Sequence, residues 1–199
     1  FKQKTAYEIP KRDWSSDVCS SDLRLTNAPG EEEEATFSPD SRAVAFVRAN
    51  NLFVVDVASQ REQQITTDGS NEIFNGKLDW LYQEEIYGRG RFRAYWWSPD
   101  SKRIAFLQLN ERPVPEYTVV DHIPYHPELE VTDYPKAGDP NPTVRLGLAA
   151  TTGGAPAWVD LSSYAGSDLL IVNVGWTPDR KSTRLNSSHV SESRMPSSA

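Results

Sequence analysis

The sequence predicts an all-β fold built from repeated four-stranded antiparallel sheets, and three observations carry this prediction. First, 38% of the 199 residues are hydrophobic and 25% are charged, which is typical of a folded globular chain. Second, a unit of an aromatic residue, Ser or Thr, Pro and Asp recurs at Phe37, Trp97 and Trp176. Third, the first two copies lead into short apolar runs with β-branched residues, as strands do. The expected architecture is a partial β-propeller of about two to three blades, with a short inserted helix and a long hairpin arm.

The first copy of the unit predicts a complete blade. Pro39 fixes φ for a turn and Asp40 can hydrogen-bond to nearby backbone, so the strands on either side should form a hairpin. The pair Asn50-Asn51 predicts the next turn, and residues 52–57 and 63–66 predict the third and fourth strands. Because one blade cannot bury both faces of its sheet, we expect the region to need further blades to be stable and soluble.

Two insertions lengthen the repeat. The copies begin 60 and 79 residues apart, against about 40–50 for regular propeller repeats. The excess falls in residues 68–93 and 110–143. We expect the first insertion to form a short helix capped by Asp79. The second insertion is rich in Pro and aromatic residues, which predicts an ordered loop with a function of its own.

Two Ser-rich segments differ from the rest of the chain. Residues 13–22 and 181–199 have little apolar periodicity, and both resemble translated sequencing-adapter stretches that recur in unrelated proteins. We therefore expect a foreign insert at 13–22 and a foreign, disordered tail at 181–199, with genuine linkers as the alternative. On this division, residues 1–12 are a remnant of a preceding blade and residues 23–180 are the partial propeller.

The composition also excludes several classes of protein. A net charge of −7 argues against a nucleic-acid partner, and no apolar stretch is long enough to span a membrane. His122 and His126 have a helical metal-ligand spacing, but Pro124 lies between them and no third ligand is evident. We expect neither a bound metal nor a cofactor.

Within the first insertion, Glu84 and Glu85 are adjacent. On a helix they would lie about 100° apart, so spacing alone favours a solvated surface, although a ligand at the helix end could be flanked by both. The cations that follow, Arg89, Arg91 and Arg93, could neutralise the acidic pair, but a solvated loop is the simpler interpretation.

The residues around this acidic pair carry a family resemblance. The run from Asp79 to Glu85 reads Asp-Trp-Leu-Tyr-Gln-Glu-Glu, and it resembles the Asp-Trp-x-Tyr-Glu-Glu-Glu motif of the dipeptidyl peptidase IV family, in the prolyl oligopeptidase superfamily. Residues 134–144, Tyr-Pro-Lys-Ala-Gly-Asp-Pro-Asn-Pro-Thr-Val, resemble a second signature of that family. The similarity runs in order from about residue 35 to about residue 180.

The resemblance implies a substrate site. In that family the last two Glu residues of the motif hold the protonated N-terminus of a peptide, and the matching positions are Glu84 and Glu85. Gln83 replaces the first Glu of the motif, a position that is not assigned to amine binding. The family also places an Arg from an earlier blade beside the pair. Neither Arg12 nor Arg24 lies in a matching motif.

The resemblance further implies a serine-type dipeptidyl peptidase that removes dipeptides after proline. The sequence has no Gly-x-Ser-x-Gly motif, so we expect the hydrolase domain to lie outside it, with no catalytic residue here and no activity from the fragment alone. The arm, 110–143, is expected to contribute to a homodimer or else to pack on its own blade. Family members suggest a periplasmic or extracellular location. The alternative function is a non-catalytic propeller that serves as a protein-interaction module.

Overall fold

The structure is a computed structural model that describes residues 24–177 and the backbone of residues 183–189. The described strands, in chain order, are β1 (Glu33–Phe37), β2 (Ala43–Arg48), β3 (Asn51–Asp56), β4 (Glu62–Gln64), β5 (Ile73–Asn75), β6 (Tyr95–Trp97), β7 (Arg103–Asn110), β8 (Glu116–Asp121), β9 (Glu128–Asp133), β10 (Thr143–Ala150), β11 (Ala157–Trp158), β12 (Leu169–Trp176) and β13 (Thr183–His189). A one-turn π-helix spans Tyr82–Ile86, and a short 3-10 turn spans Ser162–Tyr164. None of the described helices is long and apolar enough to cross a bilayer. The all-β, partial-propeller prediction is confirmed.

The first sheet is the predicted blade. Its strands pair antiparallel in the order β1-β2-β3-β4. The β2–β3 turn differs from the prediction by one residue: Ala49 and Asn50 have φ values of 49° and 56°, and Asn51 already pairs with Arg48 in the sheet. Two successive residues with positive φ match the right-handed twist of the flanking strands, which explains the tight turn.

The second sheet repeats this plan, but one of its edge strands is in two pieces. Strand β6 pairs with the first half of β7 and β5 pairs with its second half, and β10 and β11 complete the sheet beyond β7. The chain leaves this edge after Asn75 and returns at Tyr95. Residues 76–94, called the insertion from here on, therefore project from one broken strand.

The Ser-Pro-Asp turns of the two sheets have the same hydrogen bonds. Ser98 Oγ donates to Asp100 Oδ1 over 2.6 Å and accepts the Arg103 N–H over 2.9 Å. The equivalent bonds from Ser38 measure 2.7 and 3.0 Å. Both serines are buried, so these bonds satisfy groups that would otherwise be costly to bury. The sequence identified Pro and Asp as turn formers, and the structure adds the serine hydroxyl.

The two sheets share a core. Tyr95, on the broken strand, is almost fully buried, and its hydroxyl donates to the Ala45 carbonyl of the first sheet over 2.9 Å. A second core joins the insertion to β7, β10 and β12, and its buried members are Leu78, Tyr82, Ala94, Ala105, Leu107, Leu109, Val144, Leu146, Leu170, Ile171 and Val174. The insertion is therefore anchored on three strands.

Strands β12 and β13 pair antiparallel and begin a third sheet. Strand β13 lies in the segment 181–199 that the sequence predicted to be disordered, so that prediction is wrong for these residues. Ser-rich composition suggested no structure, but the free backbone edge of β12 supplies hydrogen-bonding partners for any extended segment. The remainder of 181–199 and the segment 13–22 lie outside the described residues, and their foreign origin stays a prediction.

Gly147 offers a test of how tightly the second sheet is packed. A Cβ at this position would lie 2.5 Å from the ring of Phe106 and 3.1 Å from that of Trp158. Both rings pack against each other across the glycine, with centroids 5.6 Å apart. We expect Gly147→Ala to lower the free energy of unfolding by about 1–3 kcal/mol, because Phe106 has no room to move.

The matched control is Gly175→Ala, on strand β12, where a Cβ would meet no atom within 4 Å. It should change the free energy of unfolding by less than about 0.5 kcal/mol. Urea unfolding of both variants measures the difference. Equal effects would contradict the close-packing argument.

Candidate functional site

The insertion positions the predicted acidic pair through a capped helix. Helical backbone begins at Trp80, and Asp79 Oδ1 accepts the Tyr82 N–H over 2.9 Å, as expected for a helix cap. The Tyr87 N–H reaches the Tyr82 carbonyl over 2.8 Å, five residues back, which gives the segment its π-helical turn. Asp79 therefore caps the helix as the sequence predicts, whereas the π-helical geometry was not predicted. Turns of this kind are rare in proteins, and many of those that do occur lie at functional sites.

Two tyrosines fix the position of the helix. The Tyr82 hydroxyl accepts the Ile171 N–H of strand β12 over 3.1 Å, and the Tyr87 hydroxyl donates to the Ile171 carbonyl over 3.3 Å. Tyr82 is fully buried, and its burial raises the pKa of the phenol, so the hydroxyl stays neutral. The helix is thereby bound to the third sheet at both of its ends.

Glu84 and Glu85 have different surroundings. The Glu84 side chain is only 17% exposed and forms an ion pair with Arg89, whose own side chain is 85% exposed. Glu85 is exposed to solvent. Glu84 lines a cavity of about 960 Å³, and Glu85 does not. The structure thus places one of the two carboxylates in a cavity and leaves the other beside it on the surface.

The cavity lies between the insertion and the base of the arm. Its charged lining residues are Lys77, Asp79, Glu84, Glu111, Glu116, Glu130 and Asp133. Lys77 is the one cation among them, and its ammonium is already within 2.6 and 2.8 Å of the two carboxylate oxygens of Glu33. The described walls of the cavity are therefore strongly acidic, which favours a cationic guest.

Three of these acids, Asp79, Glu111 and Asp133, are in direct contact. Glu111 hydrogen-bonds to the side chains of both Asp79 and Asp133. Burial, followed by the charge of Asp79, raises the pKa of Glu111 to about 9, and burial raises the pKa of Asp79 to about 6. The raised pKa favours the protonated form of Glu111, which can donate to a neighbouring carboxylate. Sequence reasoning found only Asp79, because the other two acids are distant in sequence and share no periodicity with it.

The three arginines after the acidic pair are all exposed, but one of them pairs with an acid of that pair. Arg89 pairs with Glu84, which is the neutralising role that the sequence left open. Arg91 and Arg93 are exposed, and with Glu34 they line a second cavity of about 650 Å³. Burial raises the pKa of Glu34, and the positive charge of Arg93 acts against that shift.

The other candidate residues of the sequence lie away from the helix. Arg24 is exposed and donates to the Thr26 carbonyl over 2.9 Å, and Arg12 lies outside the described residues. His122 and His126 are exposed near the tip of the arm. Within the described part of the chain, no three His, Cys, Asp or Glu side chains are arranged to hold a metal ion.

Comparison with protein families identifies the region. The family model described as "Dipeptidyl peptidase IV (DPP IV) N-terminal region" matches residues 2–189. This match covers nearly the whole chain. It also extends across the first Ser-rich segment and into the second, as far as residue 189, without deciding their origin.

Individual relatives agree with the family match. The chain is 40% identical over 164 residues to a probable dipeptidyl peptidase 4 of Aspergillus clavatus, covering 79% of this chain and 21% of that protein. It is 38% identical over 165 residues to a probable dipeptidyl-aminopeptidase B of Talaromyces stipitatus, covering 76% of this chain and 18% of that protein. The chain therefore spans about a fifth of the length of these relatives.

A solved structure agrees as well. The crystal structure of Porphyromonas gingivalis dipeptidyl peptidase 4 superposes with a TM-score of 0.73 at 35% identity, covering 83% of this chain and 23% of the other. Sequence and fold thus agree on one assignment. The chain belongs to the dipeptidyl peptidase IV family, and it corresponds to part of the N-terminal β-propeller region of that family.

Proposed function

We propose that this region binds the free N-terminus of a peptide for a serine-type dipeptidyl peptidase, with Glu84 and Glu85 as the amine-binding residues. The observation that carries the proposal is Glu84, a largely buried carboxylate at the wall of an acidic cavity, on a helix fixed to the propeller core. A peptide ammonium offers three donors, and its ordinary pKa is about 7.7–8.0, so an acidic site would hold it in the charged form.

The ion pair of Glu84 with Arg89 is compatible with this role. Arg89 is 85% exposed, and exposed ion pairs contribute only about 0–1 kcal/mol. A substrate ammonium that enters the cavity can therefore take the place of the guanidinium at small cost. Glu85 is free to turn toward the same ammonium, because its side chain is exposed.

Catalysis is assigned to a domain outside this region, and a periplasmic or extracellular location remains part of the proposal. Relatives named as dipeptidyl peptidases are about four times as long as the chain, which leaves room for the hydrolase domain. The propeller would then orient the peptide so that its second residue meets the nucleophile of that domain.

The first test replaces both acids in the complete protein. We expect Glu84→Gln combined with Glu85→Gln to lower kcat/KM for an Xaa-Pro chromogenic dipeptide by about 100-fold or more, since two charges about 4 Å apart interact by about 4 kcal/mol at an effective dielectric constant near 20. The matched control is Glu128→Gln, an exposed acid on β9 that does not line the cavity, and it should leave kcat/KM within about threefold. Undiminished turnover in the double variant would refute the amine-binding assignment.

The second test concerns Arg89. If its guanidinium only occupies the place of the substrate ammonium, Arg89→Ala should lower KM by about two- to fivefold and leave kcat unchanged, because the competing exposed ion pair is weak. Steady-state kinetics over the same substrate measures both constants. A higher KM in this variant would show instead that Arg89 contacts the substrate.

We further propose that the arm forms a homodimer contact. Strands β8 and β9 pair with each other, and one face of this hairpin carries Val120, Leu129 and Val131, all of them exposed. At the tip, Ile123 and Tyr125 are 84% and 95% exposed. Apolar side chains this exposed on a projecting hairpin favour a contact with another chain over packing on the arm's own blade.

The arm proposal predicts a change of oligomeric state. Leu129→Asp combined with Ile123→Asp in the complete protein should shift a dimer to a monomer in sedimentation experiments, because the charges would have to be buried without partners. Glu128→Gln, on the same strand, is the control and should leave the dimer intact. A dimer that survives the double substitution excludes the arm as the contact. A dimer-forming arm without any peptidase activity in the complete protein would support the interaction-module alternative.

A further inference from the structure

The base of the arm contacts the N-terminus of the helix that carries Glu84 and Glu85. Trp80, the first helical residue, packs on Tyr134 at the end of the arm, with ring centroids 4.4 Å apart. Tyr134 also packs on Tyr117, and its N–H donates to the Pro115 carbonyl over 3.0 Å. The helix and the arm, which are separate insertions in sequence, therefore form one packed unit.

The three contacting carboxyl groups lie at this junction. Asp79 caps the helix, and Asp133 is the last residue of β9. Glu111 lies in the connection between β7 and β8. Glu111 is 5% exposed and Asp79 is 4% exposed. Three acids in contact can be stable in such a place only if at least one carries a proton, because neighbouring buried carboxylates repel.

We propose that Glu111 is a positioning residue, whose protonated carboxyl group joins Asp79 of the helix cap to Asp133 of the arm and so holds the amine-binding helix in place. The proposal rests on the function proposed above for Glu84 and Glu85. Glu111 itself touches no substrate in this scheme. It acts through Asp79, whose other role is to accept the Tyr82 N–H.

The charged groups around Glu111 do not supply a competing cation. Those that line the same cavity from the insertion, β8 and β9 are Lys77, Glu84, Glu116 and Glu130. Lys77 is paired with Glu33, and Arg112, the neighbour of Glu111 in sequence, is paired with Glu72 over 2.7 Å. A proton on Glu111 is therefore the available means of relieving the repulsion between the acids.

The geometry gives the junction a defined dependence on pH. The pKa of Glu111 rises from its ordinary value of 4.5 to about 9, and that of Asp79 rises from 3.8 to about 6. A raised carboxyl pKa means that the closed junction binds a proton which the opened junction releases. The proton on Glu111 stabilises the closed junction relative to the opened one. This stabilisation is fully present below pH 4.5 and is lost as the pH rises through about 9.

Hydrogen exchange in the complete protein tests this directly. Between pH 6.5 and 8.5, the protection of the amides of residues 82–87, corrected for intrinsic exchange, should fall by up to about tenfold per pH unit, because opening releases one proton. Glu111→Gln keeps the size of the side chain and a donor without the titration, so its protection should stay constant over the same range. Glu128→Gln, an exposed acid on the same arm, should behave like the wild type.

A second measurement does not depend on the variant folding well. Infrared spectra of the wild type at pH 7.5 should contain a protonated-carboxyl band that is lost as the pH rises through about 9.

In steady-state kinetics, the ratio of wild-type KM to Glu111→Gln KM should rise with pH while the ratio of kcat values stays constant, since titration of the substrate amine affects both proteins equally.

The outcomes separate this inference from the proposed function. Wild-type protection that does not vary with pH, a Glu111→Gln variant that follows the wild type, or the lack of a protonated-carboxyl band would each overturn the inference. Neither exchange nor infrared spectra involve substrate. If both come out as expected while the Glu84 and Glu85 double variant retains full kcat/KM, the junction stands and the amine-binding assignment fails.

Discussion

The site depends on one buried hydroxyl group. Tyr82 lies in the core shared by the insertion and strands β7, β10 and β12, and its hydroxyl accepts a backbone N–H from Ile171. This bond satisfies a buried donor of a strand and a buried hydroxyl of the helix at once, so neither can move away without leaving the other unpaired. The direction of the helix, and with it the placement of Glu84 on the cavity wall, follows from that contact.

The propeller sheets and the insertions differ in the side chains that they bury. The two sheets bury mainly aliphatic and aromatic side chains, whereas the titratable groups with the largest raised pKa values among the carboxyls, Asp79 and Glu111, lie where the insertions meet. A rigid sheet supplies the support, and the loops that leave it bring together groups that repel each other. Such an arrangement is costly for stability and is typical of functional positions.

The blade pattern could be predicted because it is local in sequence. Pro39 and Asp40 determine a turn with their nearest neighbours, and Asp79 reaches only three residues along the chain to cap a helix. Glu111 and Asp133 could not be predicted in the same way, because tertiary folding alone brings them to Asp79. Strand β13 was missed for a similar reason: its partner is the edge of another strand, and its own composition favours no structure. The role proposed for Glu84 came from the family motif, since its spacing alone favoured a solvated surface.

The broken edge strand of the second sheet has a consequence for which residues of the insertion can vary. Strands β5 and β6 each keep their own hydrogen bonds to β7, so the sheet holds its register on both sides of the gap whatever the intervening chain does. Residues 76–94 form a loop that is closed at its base by the bond from the Ala94 N–H to the Gly76 carbonyl, and its buried Leu78 and Tyr82 belong to the core shared with the sheet. Substitutions at the exposed positions of this loop, such as Glu85 and Arg89, would change the surface beside the cavity without disturbing the blade that carries it.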